Sequence, residues 1–261
     1  MTNETSPAIS REIARKVLEV VDKGLVHGLG KPVPGQMCVE AAVCYAMGLP
    51  HSDKPSCVGY AVRAYKIALN DKAWSSDAAR ATGMRRVAVA QLGSDLIDQR
   101  AFAQEVTLQV TRQLLPIALR AAASSVPAHK DALETAAVAC EAITAFAQVS
   151  GVVRAARSAA QAAYADDAAA QAAYAAAAQA AYAAADAAYA AAAAAQAAYA
   201  ADDAAAQAAY AAAAAAQAAY AAADAAYAAK RDSILSRAAE IGVQALIKLG
   251  SAGCAWLDLC E

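Results

Sequence analysis

Apolar positions recur at helical spacing along most of this chain, and nowhere do they alternate strictly in the two-residue rhythm of a half-buried strand. Between residues 7 and 25, Ile9, Ile13, Val17, Leu18, Val20, Val21 and Leu25 share one broad face, which predicts an amphipathic helix behind Pro7. Residues 28–35, GLGKPVPG, hold three Gly and two Pro in eight positions and read as a loop. Met37 to Met47 reads as a short helix ended by Gly48, followed by a polar loop over 49–57. A helix over 58–69 stops at Asn70-Asp71, and Ser75-Ser76-Asp77 offers a cap for a helix over 78–92 that Gly93 closes. Residues 98–123 continue the pattern, with Pro116 expected to kink or split the helix. Another helix is predicted over 128–149, before Ser150-Gly151, and a last amphipathic one over 232–249, ahead of a short apolar tail.

The stretch that dominates the chain lies between these last two. Over 159–229, 51 of 71 residues are Ala and the other 20 are Gln, Asp or Tyr. Gln/Asp-Ala-Ala-Tyr recurs eight times, ending at Tyr164, Tyr174, Tyr182, Tyr189, Tyr199, Tyr210, Tyr220 and Tyr227. Alanine is the best helix former, and no Gly or Pro occurs between Gly151 and Gly242. The tyrosine steps of 10, 8, 7, 10, 11, 10 and 7 sum to 63 residues. Over 18 turns that is about 3.5 residues per turn, the period of a left-handed supercoiled seam. All except Tyr174 fall on two heptad positions of a/d type. The expectation is one continuous helix from about 152 to 230, whose repeat alone would be about 107 Å long at about 1.5 Å per residue. A fold-back would have to turn at Ala190–Ala195, six alanines.

The fold expected is therefore all-α: a helical bundle with one very long Ala/Tyr-rich helix in a coiled-coil-like seam. Two regions are anticipated: an N-terminal helical domain over 1–97, and a long-helix bundle over 98–261 that includes the repeat and the C-terminal helix. The tyrosines can pack against this protein's own helices or a second copy, since alanine lets helices approach closely and a Tyr tip can still reach water. That packing is the favoured reading; the alternative is a docking stripe presented to another protein, for which these tyrosines are the candidate partner-binding residues. An ice-binding face is disfavoured, because the repeat holds no Thr and its eight bulky Tyr would break a flat array.

Composition narrows the function classes. The hydrophobic share of 60% is inflated by alanine, and an Asp or Gln interrupts the repeat at least every 11 residues, which disfavours a membrane span. The first residues show no apolar run behind a basic start, so no export signal is expected, and six Cys without one suggest reduced thiols in a cytoplasm. A net charge of −2 gives no global case for nucleic acid. Arg63, Lys66, Lys72, Arg80, Arg85 and Arg86, with Tyr60, Tyr65 and Trp74 among them, could form a basic surface, but solvated helix faces are the default reading. GLGKPVPG follows no strand and does not match G-x4-G-K-[ST], so it is no phosphate loop.

Two local clusters could carry chemistry. Cys38 stands at the start of a helix, where a thiol can be activated, but a cysteine enzyme would also need a partner imidazole from His27, His51 or His129. Cys38, Cys44, His51 and Cys57 are four possible zinc ligands, although C-x5-C-x6-H-x5-C lacks the usual C-x2-4-C knuckle. The plainer reading makes these thiols small core residues. No catalytic, metal or cofactor residue is assigned.

The segment DKPSCVGYAVRAY at 53–65, a short loop with Trp74, SDAARA at 76–81 and a later alanine run with spaced aromatics resemble the alanine-rich all-helical bacterial immunity proteins of polymorphic-toxin systems. The likeness is close over 53–80 and only compositional in the alanine run. It implies protein binding without catalysis, that is, binding and neutralising a bacterial toxin. It supplies no functional residues. The expected function is a non-enzymatic protein-binding scaffold. A homo-oligomeric structural rod of phage origin and a cysteine-dependent enzyme using Cys38 are the alternatives.

Overall fold

The computed structural model describes residues 9–165 and 228–261. These residues form nine α-helices: α1 (Arg11–Val21), α2 (Val39–Ala46), α3 (Tyr60–Asn70), α4 (Asp77–Ala90), α5 (Gln99–Gln113), α6 (Leu115–Ser125), α7 (Lys130–Ala142), α8 (Val149–Ala165) and α9 (Ala228–Lys248). A 3-10 segment over Ala252–Cys260 ends the chain. No strand occurs among the described residues; a single β-bridge joins Gly30 to Met37 across the glycine-rich loop.

Several helix boundaries follow from side-chain caps. Ser10 accepts from the amide of Ile13 at the start of α1, Ser76 from Ala79 at the start of α4, and Asp98 from Arg100 and Ala101 at the start of α5. The first helix is shorter than the apolar pattern over 7–25 suggests, because the backbone turns after Val21 and the rest of the stripe continues as loop. Pro116 splits the predicted 98–123 helix: α5 ends at Gln113, and the proline sits in the first turn of α6, where its missing N–H costs nothing. The break expected at Ser150-Gly151 comes earlier. The Gln148 side chain accepts the amides of Thr144 and Ala145, which stops the chain after α7 and lets α8 begin at Val149, with Ser150 and Gly151 inside its first turn. The long tyrosine helix and its seam fall mostly on residues 166–227, outside the described residues.

The buried apolar side chains form one continuous cluster, running from Ile13 in α1 to Leu246 in α9. The division expected at 97/98 falls in the link before α5, and α9 packs against α4 and α3 as well as α5. α4 is central to this arrangement, touching α1, α2, α9 and the C-terminal segment. α6 and α7 pair closely, with Arg120 bridging Glu134 and Glu141 at their surface. α8 seats on α7 and α5.

Among the described residues, Tyr65 is the largest wholly buried side chain. Its hydroxyl donates to the Ala238 carbonyl at 2.6 Å, and its ring meets Phe102 edge-on at 6.1 Å between centroids. α9 comes this close because it carries Gly242, where a Cβ would stand 2.9 Å from Tyr65 Cε1. Gly83 in α4 plays the same part for Trp74, since its Cβ would come within 2.4 Å of the indole ring.

Gly242→Ala therefore inverts the usual helix rule. An Ala in mid-helix ordinarily gains about 1 kcal/mol over Gly, but here the methyl must displace a locked ring, at about 1–3 kcal/mol. Urea unfolding is expected to show a net loss of stability. A gain would mean that the ring does not fill this space.

Candidate functional site

The site forms where the glycine-rich loop folds over the start of α2 and the end of α3. Val26 donates to the Met37 carbonyl at 3.1 Å and Cys38 to that of Leu29 at 3.2 Å, closing residues 26–38 into a narrow loop. Asn70, wholly buried at the last turn of α3, pins it down. Its Nδ2 donates to the Val26 carbonyl and to Asp71 Oδ1, each at 2.9 Å, and its Oδ1 accepts from the Val39 amide at 3.3 Å. Asp71 Oδ1 also accepts from the Gly28 amide at 2.8 Å. Arg80 completes the framework from α4, donating to the carbonyls of Asn70 and Leu25.

Inside this frame α2 and α3 bring two opposite charges together. Lys66 Nζ lies 2.7 Å from Glu40 Oε1, and both side chains are wholly buried. The two are held by charge at close range, and Glu40 Oε1, Glu40 Oε2 and Lys66 Nζ make no well-formed hydrogen bond among the described residues. Burial pushes the Glu40 carboxyl up and the Lys66 ammonium down; in each case the partner's charge opposes the shift. A cavity of about 50 Å³ lies beside the pair, with Cys38, Glu40, Asp53, Asn70 and Asp71 in its wall and the exposed Leu29 at its rim. A wider cleft of about 370 Å³ shares Asp71 and is lined by His27, Lys72 and Arg80.

The sequence does carry a signal for this pair: Glu40 is the one charge in the otherwise apolar run Met37 to Met47, and Lys66 adjoins Tyr65 in an apolar stretch. A lone carboxylate on one apolar helix and a lysine among the apolar residues of the next, which also carries Arg63, point to a buried partnership. The grouping of Lys66 with the basic residues of a surface does not hold, because the packing of α2 on α3 buries it.

The other candidates are dispersed. Cys38 caps α2, its Sγ accepting from the Ala41 amide at 3.4 Å, and burial pushes its thiol up. Cys57 Sγ donates to Met47 Sδ at 3.5 Å, Cys44 is pushed up to about 11 by burial, and His51 Nε2 lies 3.2 Å from the Gly30 carbonyl. No group of three or more His, Cys, Asp or Glu among the described residues could hold a metal ion. The basic residues are not one surface either. Lys66 and Arg80 are buried, Arg85 and Arg86 pair with Asp22 and Glu240, and Arg63 lies 5.4 Å from the Tyr60 ring centroid. Of the aromatics among them, Tyr65 and Trp74 are interior, and the Trp74 indole donates to the Leu69 carbonyl at 3.0 Å.

Tyr164 falls in α8, with its side chain outside the described residues, and Tyr174, Tyr182, Tyr189, Tyr199, Tyr210, Tyr220 and Tyr227 lie outside them altogether. Among the described residues no helix is long and apolar enough to cross a membrane. No family model, curated protein or solved structure matches this chain.

Two outcomes test the site's electrostatics. Lys66→Met leaves Glu40 buried alone and should cost about 3–5 kcal/mol at neutral pH, whereas Glu40→Leu with Lys66→Met should approach the wild type. A carboxyl with a raised native pKa favours the fold below its unfolded value and loses that contribution as pH rises through the raised one. The Lys66→Met deficit should therefore shrink on acidification into the ordinary carboxylate range, as read by urea unfolding at neutral and mildly acid pH. In a separate measurement, mass spectrometry of brief iodoacetamide treatment should find the half-buried Cys254 and Cys260 labelled before Cys38, Cys44, Cys57 and Cys140, all of which are buried. Rapid labelling of Cys38 would restore it as a nucleophile.

Proposed function

We propose that this chain is a non-enzymatic, protein-binding helical scaffold of the immunity type, acting in the cytoplasm to bind and neutralise a toxin domain. The observation that carries the reading is the anchoring of the tyrosine repeat. The helix before it, α8, and the helix after it, α9, both seat on α5. A segment bearing regularly spaced phenols is thereby tied at both ends to a well-packed body. Tyr suits a contact surface because it offers a large rigid area with a polar tip at small entropic cost.

Two further features support the reading. The thiol that an enzyme would need is engaged in capping α2, and burial pushes its pKa up. The motif carrying the immunity-protein resemblance also works as structure. Tyr65, Trp74 and Arg80 each satisfy backbone carbonyls inside the fold, so the motif would specify a framework and leave partner choice to other surfaces.

The experiment is binding of the purified chain to toxin domains of polymorphic-toxin systems, followed by calorimetry. Tyr189→Ala combined with Tyr199→Ala should weaken the complex roughly thirtyfold, as removal of a contact hot spot of about 2 kcal/mol would. The urea midpoint of the free protein should stay where it was. Unchanged affinity, or a chain that forms only large homo-oligomers and protects no cell from the toxin, would favour the structural rod.

A further inference from the structure

The link between α4 and α5 carries the most exposed large apolar side chain among the described residues. Leu96 is 84% exposed, and Tyr60, next in that order, is 60% exposed at the start of α3. A single exposed apolar residue is ordinary, so the surroundings decide. The 3-10 turn Ser94–Leu96 is firmly braced. Gly93, in the left-handed conformation at φ 79°, donates to the Cys57 carbonyl at 3.0 Å. The buried Ser94 hydroxyl accepts the Gly59 amide at 3.2 Å. Gln99 donates to the carbonyls of Ser94 and Ile97, and its Oε1 accepts the Ala61 amide at 3.1 Å. One polar node thus fixes both the turn bearing Leu96 and the first turn of α3, where Tyr60 stands. Leu96 itself takes no part in the apolar core.

Charge says what this turn fits. Asp95 and Asp98 flank Leu96, and both are exposed. Asp98 Oδ1 accepts the amides of Arg100 and Ala101, but neither carboxylate has an ion-pair partner among the described residues. Arg63 lies over the Tyr60 ring, so the uncompensated negative charge belongs to the Leu96 side. A second copy of this chain is a poor occupant, because a two-fold contact through this turn would set its own carboxylates face to face.

We propose that Leu96, with Tyr60 beside it, is a docking anchor for a protein whose apolar contact surface is edged by Lys or Arg. The leucine supplies apolar area, and Asp95 and Asp98 meet the cations at the edge, favouring partners of that charge. Because the turn is braced beforehand, little freedom is lost when it docks. The proposal rests on the scaffold reading only in that a protein is bound. It uses neither the tyrosine repeat nor a toxin, so each can fail alone.

The test selects phage-displayed random peptides on the full chain and titrates the enriched peptides, once synthesised, by fluorescence anisotropy. Peptides combining bulky apolar residues with Lys or Arg are expected. Leu96→Ala should weaken them on the order of tenfold, and Asp95→Asn about threefold, as loss of an exposed ion pair does. Val138→Ala, at an exposed apolar position on α7, should leave the affinity unchanged. Leu96 and Asp95 are exposed, so the urea midpoints of their variants should match the wild type. A lowered midpoint for Leu96→Ala would make the leucine a structural contact and overturn the proposal. No enriched peptide, peptides lacking basic residues, unaltered binding by Leu96→Ala or an equal loss with Val138→Ala would overturn it too. So would a dimer, seen by light scattering, that Leu96→Ala dissolves, since the occupant would then be a second copy.

Discussion

The hydroxyl of Tyr65 donates to a carbonyl 173 residues further along the chain, and this buried contact ties the C-terminal helix to α3. A phenol with no exposed surface must find a polar partner, and in this fold the partner lies on α9. Satisfying it places α9 against α3; the edge-on contact with Phe102 then adds α5 to the same junction. The contact requires a helix without a side chain at the point of approach, which Gly242 provides. One bulky group and one missing methyl thus fix how the C-terminal helix joins the rest.

The polar interior follows a different logic. Arg80 and Asn70 are buried, and they bond backbone groups of the loop at Leu25 and Val26 and of the helix ends beside it at Val39 and Asn70. They repair an irregular loop lacking helical partners of its own. Glu40 and Lys66 repair nothing. They answer each other alone, at a desolvation cost that an apolar pair would avoid. Glu40 and Lys66 therefore hold charge in the interior that the backbone does not require, whereas the Arg80 network is structural.

Helix content was legible because capping residues and apolar spacing agreed: Ser76 before α4, Pro116 at the split, and the stripe of Ile13, Val17 and Leu18 all speak through local chemistry. The end of α7 was not, because it depends on Gln148 bending back to two amides in a stretch with neither Gly nor Pro. The site was harder still. Glu40 and Lys66 stand 26 positions apart, and their burial depends on how α2 and α3 pack, whereas the eye is drawn to the nearby cysteines and histidine. Those turned out to serve as a helix cap, a sulfur contact and a ligand of one carbonyl. The tyrosines, the most conspicuous feature of the sequence, fall almost wholly outside the described residues.

The seating of α8 and α9 on a common helix has a genetic consequence. Alanine-coding repeats lengthen and shorten readily during replication, and in most proteins such slippage would shift every downstream contact. Here each flank is held by its own contacts with α5 and its neighbours, so copies of the Gln-Ala-Ala-Tyr unit can be gained or lost between two fixed posts. Selection could then vary the number and order of tyrosines between lineages while the core around Tyr65 stays unaltered, so that repeat length becomes a heritable dial separable from the fold.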